Sequence, residues 1–269
     1  MNENDEEVLN ELFTVLASNT RRDILEKLSC KPVKNADLAR ELNTTDQDIG
    51  RNIEKMKDAN LIRRNSQEVN ALTSFGASIL KQLPNFSFQI QHVDYFRRHP
   101  LDNLPPKSIL GIGALSKCKI IEGFVRVQDT WTGIYQHADE YVYAIKSQVS
   151  LDMIKQAFEA VNRGVEYNYI LPENVIVPNG RSELLTRLNW KKLCAKEKID
   201  RRMIASTPVS VILNEREASV VFPDLNCNAD ISYTFYSEND ETFHQWCMDY
   251  FNYLWNESNE FDERMVREE

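Results

Sequence analysis

In the N-terminal third of the chain, apolar positions recur every three or four residues. Val8, Leu9, Leu12, Phe13, Val15 and Leu16 share one face of a helix predicted over about residues 6–17. Ser18-Asn19-Thr20 supplies the N-cap of a second helix, whose buried stripe is Ile24, Leu25 and Leu28. After Lys31-Pro32-Val33, Asn35 caps a third helix with Ala36, Leu38, Ala39 and Leu42 inward. Thr44-x-x-Gln47 and Thr45-x-x-Asp48 both have the spacing of a capping box, so a fourth helix starts here in either register. Ile49, Ile53 and Met56 form its inner face and leave Gln47, Arg51, Asn52, Lys55 and Lys57 outward. Residues 61–64 then read as a strand, Asn65-Ser66 as its turn and residues 68–72 as the returning strand. Thr73 caps a helix to about Lys81.

Past Leu83-Pro84-Asn85 the pattern changes. Residues 86–95 alternate loosely through Phe86, Phe88, Ile90 and Val93, which predicts a linker strand or bridging segment, and residues 99–106 form a rigid Pro-rich approach. A short strand follows at 118–121, a helix at 124–137, a strand at 140–145 and a helix at 151–162 with Ile154, Phe158 and Val161 inward. Gly164 stands at the C′ position of that helix and residues 165–171 form the next strand, giving a βαβ unit with parallel strands. Residues 208–213 and 218–222 predict a hairpin around Asn214-Glu215-Arg216-Glu217. The closing helix carries one aromatic stripe of Phe243, Trp246, Cys247, Tyr250, Phe251, Leu254 and Trp255, the pattern of a core face or a dimer interface.

These elements imply a domain at residues 1–85, a linker at 86–106 and a larger domain at 107–269, which suits a chain of 269 residues. No charge-free stretch exceeds 12 residues, against the ~18 apolar residues a membrane helix needs. The start is acidic where a signal or transit peptide is basic and then apolar, so no such peptide is expected. The five cysteines are scattered without a Cys-x-x-Cys pair, which excludes a zinc ribbon and points to the reducing cytoplasm. Net charge is −9, unevenly spread: residues 12–85 carry +3 and residues 86–269 carry −7. A mildly basic first domain on an acidic body permits DNA binding.

The fourth helix carries the chemistry. Gln47 and Asn52 are of the type that pairs with adenine edges, Arg51 with guanine, and Lys55 with phosphate. Two short helices joined by a tight turn make a helix-turn-helix with its recognition helix at about 45–59 and Thr44 and Thr45 within reach of phosphate. The hairpin at 61–72 adds a basic wing that places Arg63 and Arg64 on the DNA backbone. Residues 16–25 and 36–42, with Asn60-Leu61-Ile62-Arg63-Arg64 and Leu72-Thr73, resemble the opening of ArsR-type winged-helix regulators. Metal sensors of that type carry Cys or His ligands; Cys30 is the only such residue in the first 85, so no metal is expected.

The whole order resembles archaeal regulators of the TrmB-like and methanogenesis-regulator type. The resemblance rests on His99-Pro100-Leu101 with Leu104-Pro105-Pro106, Trp131, residues 141–147, Arg163-Gly164-Val165 leading to Ile170-Leu171-Pro172, and residues 251–255. It implies an α+β winged helix joined to a larger α/β, phospholipase-D-like effector domain with a mixed sheet, in a cytoplasmic homodimer that binds promoter DNA. Phospholipase D chemistry needs a His nucleophile and a Lys two positions later. The four histidines are followed at that spacing by Asp94, Leu101, Asp139 and Trp246, so no catalysis and no cofactor are expected. Trp131, Tyr135, Tyr143 and Lys146 lie near element ends where an effector pocket forms in α/β domains. The basic run at 181–202 is either a solvated face or a cradle for an anionic effector or DNA. The leading expectation is a DNA-binding transcriptional regulator whose second domain senses a small molecule or protein partner. The alternatives are a winged-helix adaptor that recruits a protein without touching DNA, and an unusual hydrolase.

Overall fold

The computed structural model describes residues 3–269 except Asn174, Glu197 and Pro208. Met1 and Asn2 at the head of the acidic leader, Glu197 within the basic run, and Pro208, the expected start of a strand, therefore lie outside the described residues. The chain divides into two compact units, Met1–Pro84 and Asn85–Glu269.

The first unit runs α1 (Glu3–Leu16), α2 (Asn19–Cys30), β1 (Val33–Lys34), α3 (Asn35–Glu41), α4 (Asp46–Asp58), β2 (Ile62–Arg64), β3 (Val69–Leu72) and the start of α5 (Ser74–Gln91). Thr45 Oγ1 accepts from the Asp48 amide at 3.1 Å and Thr73 Oγ1 from the Gly76 amide at 2.8 Å, so both helices begin on a side-chain cap. Ile24, Leu25, Leu28, Leu38, Ile49, Ile53 and Met56 are buried together with Leu61 and Ile62 in one core. The strands lie in the order β1-β3-β2, antiparallel, with Ile62 opposite Leu72 and Arg64 opposite Asn70. Asn70 is fully buried and donates to the Val33 carbonyl and to Asn35 Oδ1, tying the small sheet to α3. Gly76 packs so closely on the strand that an added Cβ would stand 2.1 Å from the Leu61 carbonyl oxygen.

The second unit begins within α5 and continues through α6 (Val93–Phe96), α7 (Pro106–Leu110), β4 (Lys119–Glu122), α8 (Phe124–His137), β5 (Tyr141–Ile145), α9 (Leu151–Arg163) and β6 (Glu166–Pro172). After β7 (Ile176–Val177) come α10 (Arg181–Arg187), α11 (Trp190–Ala195), β8 (Ile199–Ile204), β9 (Ser210–Leu213), β10 (Glu217–Val221) and β11 (Tyr233–Glu238). The chain closes with α12 (Glu241–Glu257), β12 (Asn259–Glu260) and β13 (Arg267–Glu268), the last pairing with β7. Eight strands form a mixed sheet in the order β12-β8-β6-β5-β9-β10-β11-β4. β5, β6 and β8 are mutually parallel, and β5 meets β9 antiparallel.

Strand alternation sorts the sheet's residues between two cores. Val142, Ala144, Tyr167 and Ile212 pack under α8 and α9, whereas Ile145, Ile170, Val211 and Leu213 pack against α12. The aromatic stripe of α12 is accordingly core: Phe243, Trp246, Cys247, Tyr250, Phe251 and Leu254 are all buried.

Residues 86–106 are not a linker strand. α5 continues through Pro84 to Gln91, and Phe88, Tyr95 and Leu104 belong to the second core, the Phe88 ring meeting Phe96 edge-on and Phe235 at a tilt. Only Phe88 of the alternating trio is buried; Phe86 and Ile90 are 58% and 70% exposed, because a helix turns them away. The basic run divides between packed arginines and a solvated face. Arg181 is buried in an ion pair with Glu263 at 3.1 Å, Arg201 pairs with Glu263 and covers the Phe261 ring, and Arg202 covers Trp255. Arg187, Lys191, Lys192, Lys196 and Lys198 remain exposed. Among the described residues, no helix is long and apolar enough to cross a membrane.

Candidate functional site

α4 is amphipathic because Ile49, Ile53 and Met56 recur at four and three, and burying them fixes which residues face out. Gln47, Arg51 and Lys55, each four apart, are exposed along one row of the helix. Gln47 and Lys55 make no side-chain hydrogen bond or ion pair among the described residues; Arg51 makes a loose contact of 3.7 Å with Asp48. Arg63, on the adjoining β2, is exposed and likewise without a side-chain partner among the described residues. Gln47, Lys55 and Arg63 are thus unengaged among the described residues, and Arg51 is held only by that loose contact.

The other predicted contacts are occupied differently. Asn52 is half-buried, donates to the Asp48 carbonyl at 2.9 Å and accepts from Arg21 at 3.3 Å, so it braces α4 against α2 instead of projecting as a base reader. Arg64 is folded back, its Nε on Asn70 Oδ1 at 3.1 Å and its Nη1 4.0 Å from Glu54. Thr45 serves the helix as its cap, and Thr44, half-buried, donates its amide to the Ala39 carbonyl. Both threonines stand at the N-terminus of α4. Glu54 accepts from Lys57 at 2.7 Å, and that hydrogen bond holds its carboxyl below the usual range. Arg40 of α3 is also exposed, but its guanidinium is paired with Asp37 at 2.7 Å.

In the second unit, two of the four residues expected at an effector pocket reach the same cavity. Trp131 and Lys146 both line a cavity of about 250 Å³ at the carboxyl end of β5. The Trp131 indole donates to Ser219 Oγ at 2.9 Å. Lys146 is only 4% exposed, donates to the Tyr167 hydroxyl at 2.9 Å and lies 5.0 Å from the centre of the Tyr135 ring. Burial pushes its amine down to about 7. Tyr135 is fully buried behind Lys146, its hydroxyl 3.5 Å from that of Tyr167. Tyr143 does not join them. Strand alternation turns it to the opposite face, where it stacks on Phe251 and donates to Glu166 at 3.1 Å.

The four histidines are separately engaged: His99 with Asp230 at 3.0 Å, His137 with Glu217 at 3.0 Å, His244 with the Asn214 carbonyl at 2.7 Å, and His92 tilted against Phe88 and edge-on to Phe235. Among the described residues, no group of three or more His, Cys, Asp or Glu side chains is placed to hold a metal ion.

No protein-family model and no curated protein matches the sequence. Solved structures give loose likenesses. The structure of TrmBL2, an archaeal chromatin protein with a novel mode of DNA binding, is similar at a TM-score of 0.42 and 10% identity over 95% of this chain and 99% of that one. Nuc from Salmonella typhimurium, a phospholipase D family member, is similar at 0.41 and 14% identity over 55% of this chain and all of its own. NucT from Helicobacter pylori is similar at 0.41 and 11% identity over 54% of this chain and 99% of its own. Likeness at this level leaves the function to be read from the residues themselves.

Proposed function

We propose that the chain is a DNA-binding transcriptional regulator in which the first unit is a winged helix and the second a phospholipase-D-like effector body. The observation that carries this reading is the row of Gln47, Arg51 and Lys55 exposed on α4 beside Arg63 on the hairpin. α4 enters the major groove, Arg51 reads a guanine, Gln47 an adenine, and Lys55 and Arg63 meet phosphate. The chain acts as a homodimer, a reading supported by Val8 and Phe13 on α1 and Phe86 and Ile90 on α5, which are large, apolar and exposed. The absence of any His-x-Lys sequence supports a non-catalytic second unit.

Fluorescence anisotropy with duplex DNA from upstream of its own gene, taken as a salt series, tests the proposal. Affinity falls steeply with salt, and an Arg51→Ala/Lys55→Ala variant loses most of it. Flat, weak binding that ignores both changes overturns it. One observation favours the adaptor as second reading: α4 carries four acidic residues (Asp46, Asp48, Glu54, Asp58) against three basic ones (Arg51, Lys55, Lys57). The flat outcome is what an adaptor gives.

A further inference from the structure

The cavity beside Lys146 has a one-sided chemistry. It opens at the carboxyl end of β5, where the sheet changes from a parallel neighbour, β6, to an antiparallel one, β9, the kind of switch point at which α/β sheets leave a crevice. Phe124, Trp131, Val149, Met153, Ile212 and Ile231 give it apolar walls. Its polar lining consists of Lys146 with serine hydroxyls and glutamine amides, and no aspartate or glutamate lines it among the described residues. At about 250 Å³ it lies just below the usual range of ligand pockets, which starts at ~300 Å³, and so suits only a small ligand.

A second, smaller void of about 20 Å³ shares Lys146 and Val149 with the first and is walled by Tyr167, Trp190 and Arg181, whose charge is already met by Glu263 at 3.1 Å. Two of its lining residues carry buried donors without an adequate acceptor. The Trp190 indole N–H, in a side chain 3% exposed, has no hydrogen-bond partner among the described residues. The Lys146 ammonium has a single phenol oxygen and no counter-charge among the described residues. Both conditions are costly in a dry interior, and one negatively charged acceptor relieves them together.

We propose that this cavity is the ligand site of the second unit and that it takes a small organic carboxylate, its apolar body against Trp131 and Met153 and its carboxylate turned inward to Lys146 and the Trp190 N–H. A single ammonium calls for a single negative charge, and the apolar walls reject a heavily hydroxylated ligand, whose polar groups they leave unpaired. The proposal deepens the reading of the second unit as the sensing body, and its test uses no DNA, so its failure leaves the DNA-binding proposal standing.

Calorimetric titration of the full chain with phenylacetate and hexanoate, beside phenylacetamide and hexanamide, provides the test. The acids bind saturably and at least about tenfold tighter than the amides, or ~1.4 kcal/mol. Lys146→Met removes the difference between acid and amide. A readout that does not depend on that variant folding is the Trp190 indole proton resonance, assigned by its loss in Trp190→Phe: it moves on addition of phenylacetate and stays in place with the amide. Equal binding of acids and amides, no binding of either acid up to about 10 mM, or an unmoved Trp190 resonance at saturation overturns the proposal.

Discussion

Arg21 on α2 donates to Asn52 on α4 at 3.3 Å while its remaining N–H groups donate to the Val15 and Thr14 carbonyls at the end of α1. One guanidinium thus ties three helices of the first unit, and Asn52 is its anchor on α4. Asn52→Ala lowers stability by about 0.5–1.5 kcal/mol, the worth of a lost hydrogen bond. Urea midpoints show the loss, and the DNA affinity of the folded fraction stays within about twofold, under half a kcal/mol. Arg51→Ala gives the reverse: an unchanged midpoint and weakened DNA binding.

Lys55 and Arg51 sit four residues apart on the same row but act differently. Lys55→Ala weakens binding uniformly across sequences and lowers the slope of log affinity on log salt by about 1. Arg51→Ala costs about 1–3 kcal/mol and relaxes preference at one base pair. Anisotropy on a panel of single-base operator variants separates the two; a uniform loss in Arg51→Ala places Arg51 on phosphate.

Two glycines of the first unit give substitutions of opposite sign. An alanine methyl at Gly76 lands 2.1 Å from the Leu61 carbonyl oxygen, so Gly76→Ala forces α5 off the hairpin and destabilises by about 1–3 kcal/mol. At Gly50, inside α4, the methyl meets only Asn35 Nδ2 at 3.8 Å, so Gly50→Ala stabilises by about 0.5–1 kcal/mol through helix propensity. Thermal or urea unfolding of the two variants checks both signs.

Burial pushes the Lys146 amine to about 7 in the folded chain, whereas an unfolded lysine titrates near ~10.4. Between those values the unfolded chain holds a proton that the folded chain lacks, so this residue's contribution to stability rises with pH from about 7 toward ~10 and is flat below. Tyr135 from α8 and Tyr167 from β6 face the amine; burial raises both hydroxyls, so they stay neutral across the window. The difference in urea midpoint between the chain and Lys146→Met, followed from about pH 6 to 9.5, grows as pH falls toward about 7 and levels off below it.

What the sequence conveyed was local. The inner stripe of α4 and the Thr45 cap follow from residues within one turn of each other, and burial of Ile49, Ile53 and Met56 matches that spacing. The surroundings of Asn52 are not legible in the same way: it flanks the stripe, three residues after Ile49, where its environment depends on Arg21 from another helix. β8 was hidden among cations whose partners, Glu263 and Trp255, lie far along the chain. Residues 86–95 read as alternating because Phe86, Phe88 and Ile90 differ in fate, and only the distant Phe235 and Phe96 say which one is core. Trp131 and Lys146 converge, and Tyr143 departs, through the pleat of β5 and the placement of α8, neither of which a single segment encodes.

The order of strands in the large sheet also sets a timetable. The first unit closes its core within Met1–Pro84 from neighbouring helices and one hairpin, and has all its partners as soon as that stretch is synthesised. β4 has to wait for β11, which follows ten intervening elements, and β8 receives β12 only after α12 is made. Non-local pairings of this kind fold slowly. During synthesis, the part that carries Arg51 and Lys55 therefore matures first, and the body that holds Lys146 completes itself only when the last strands arrive.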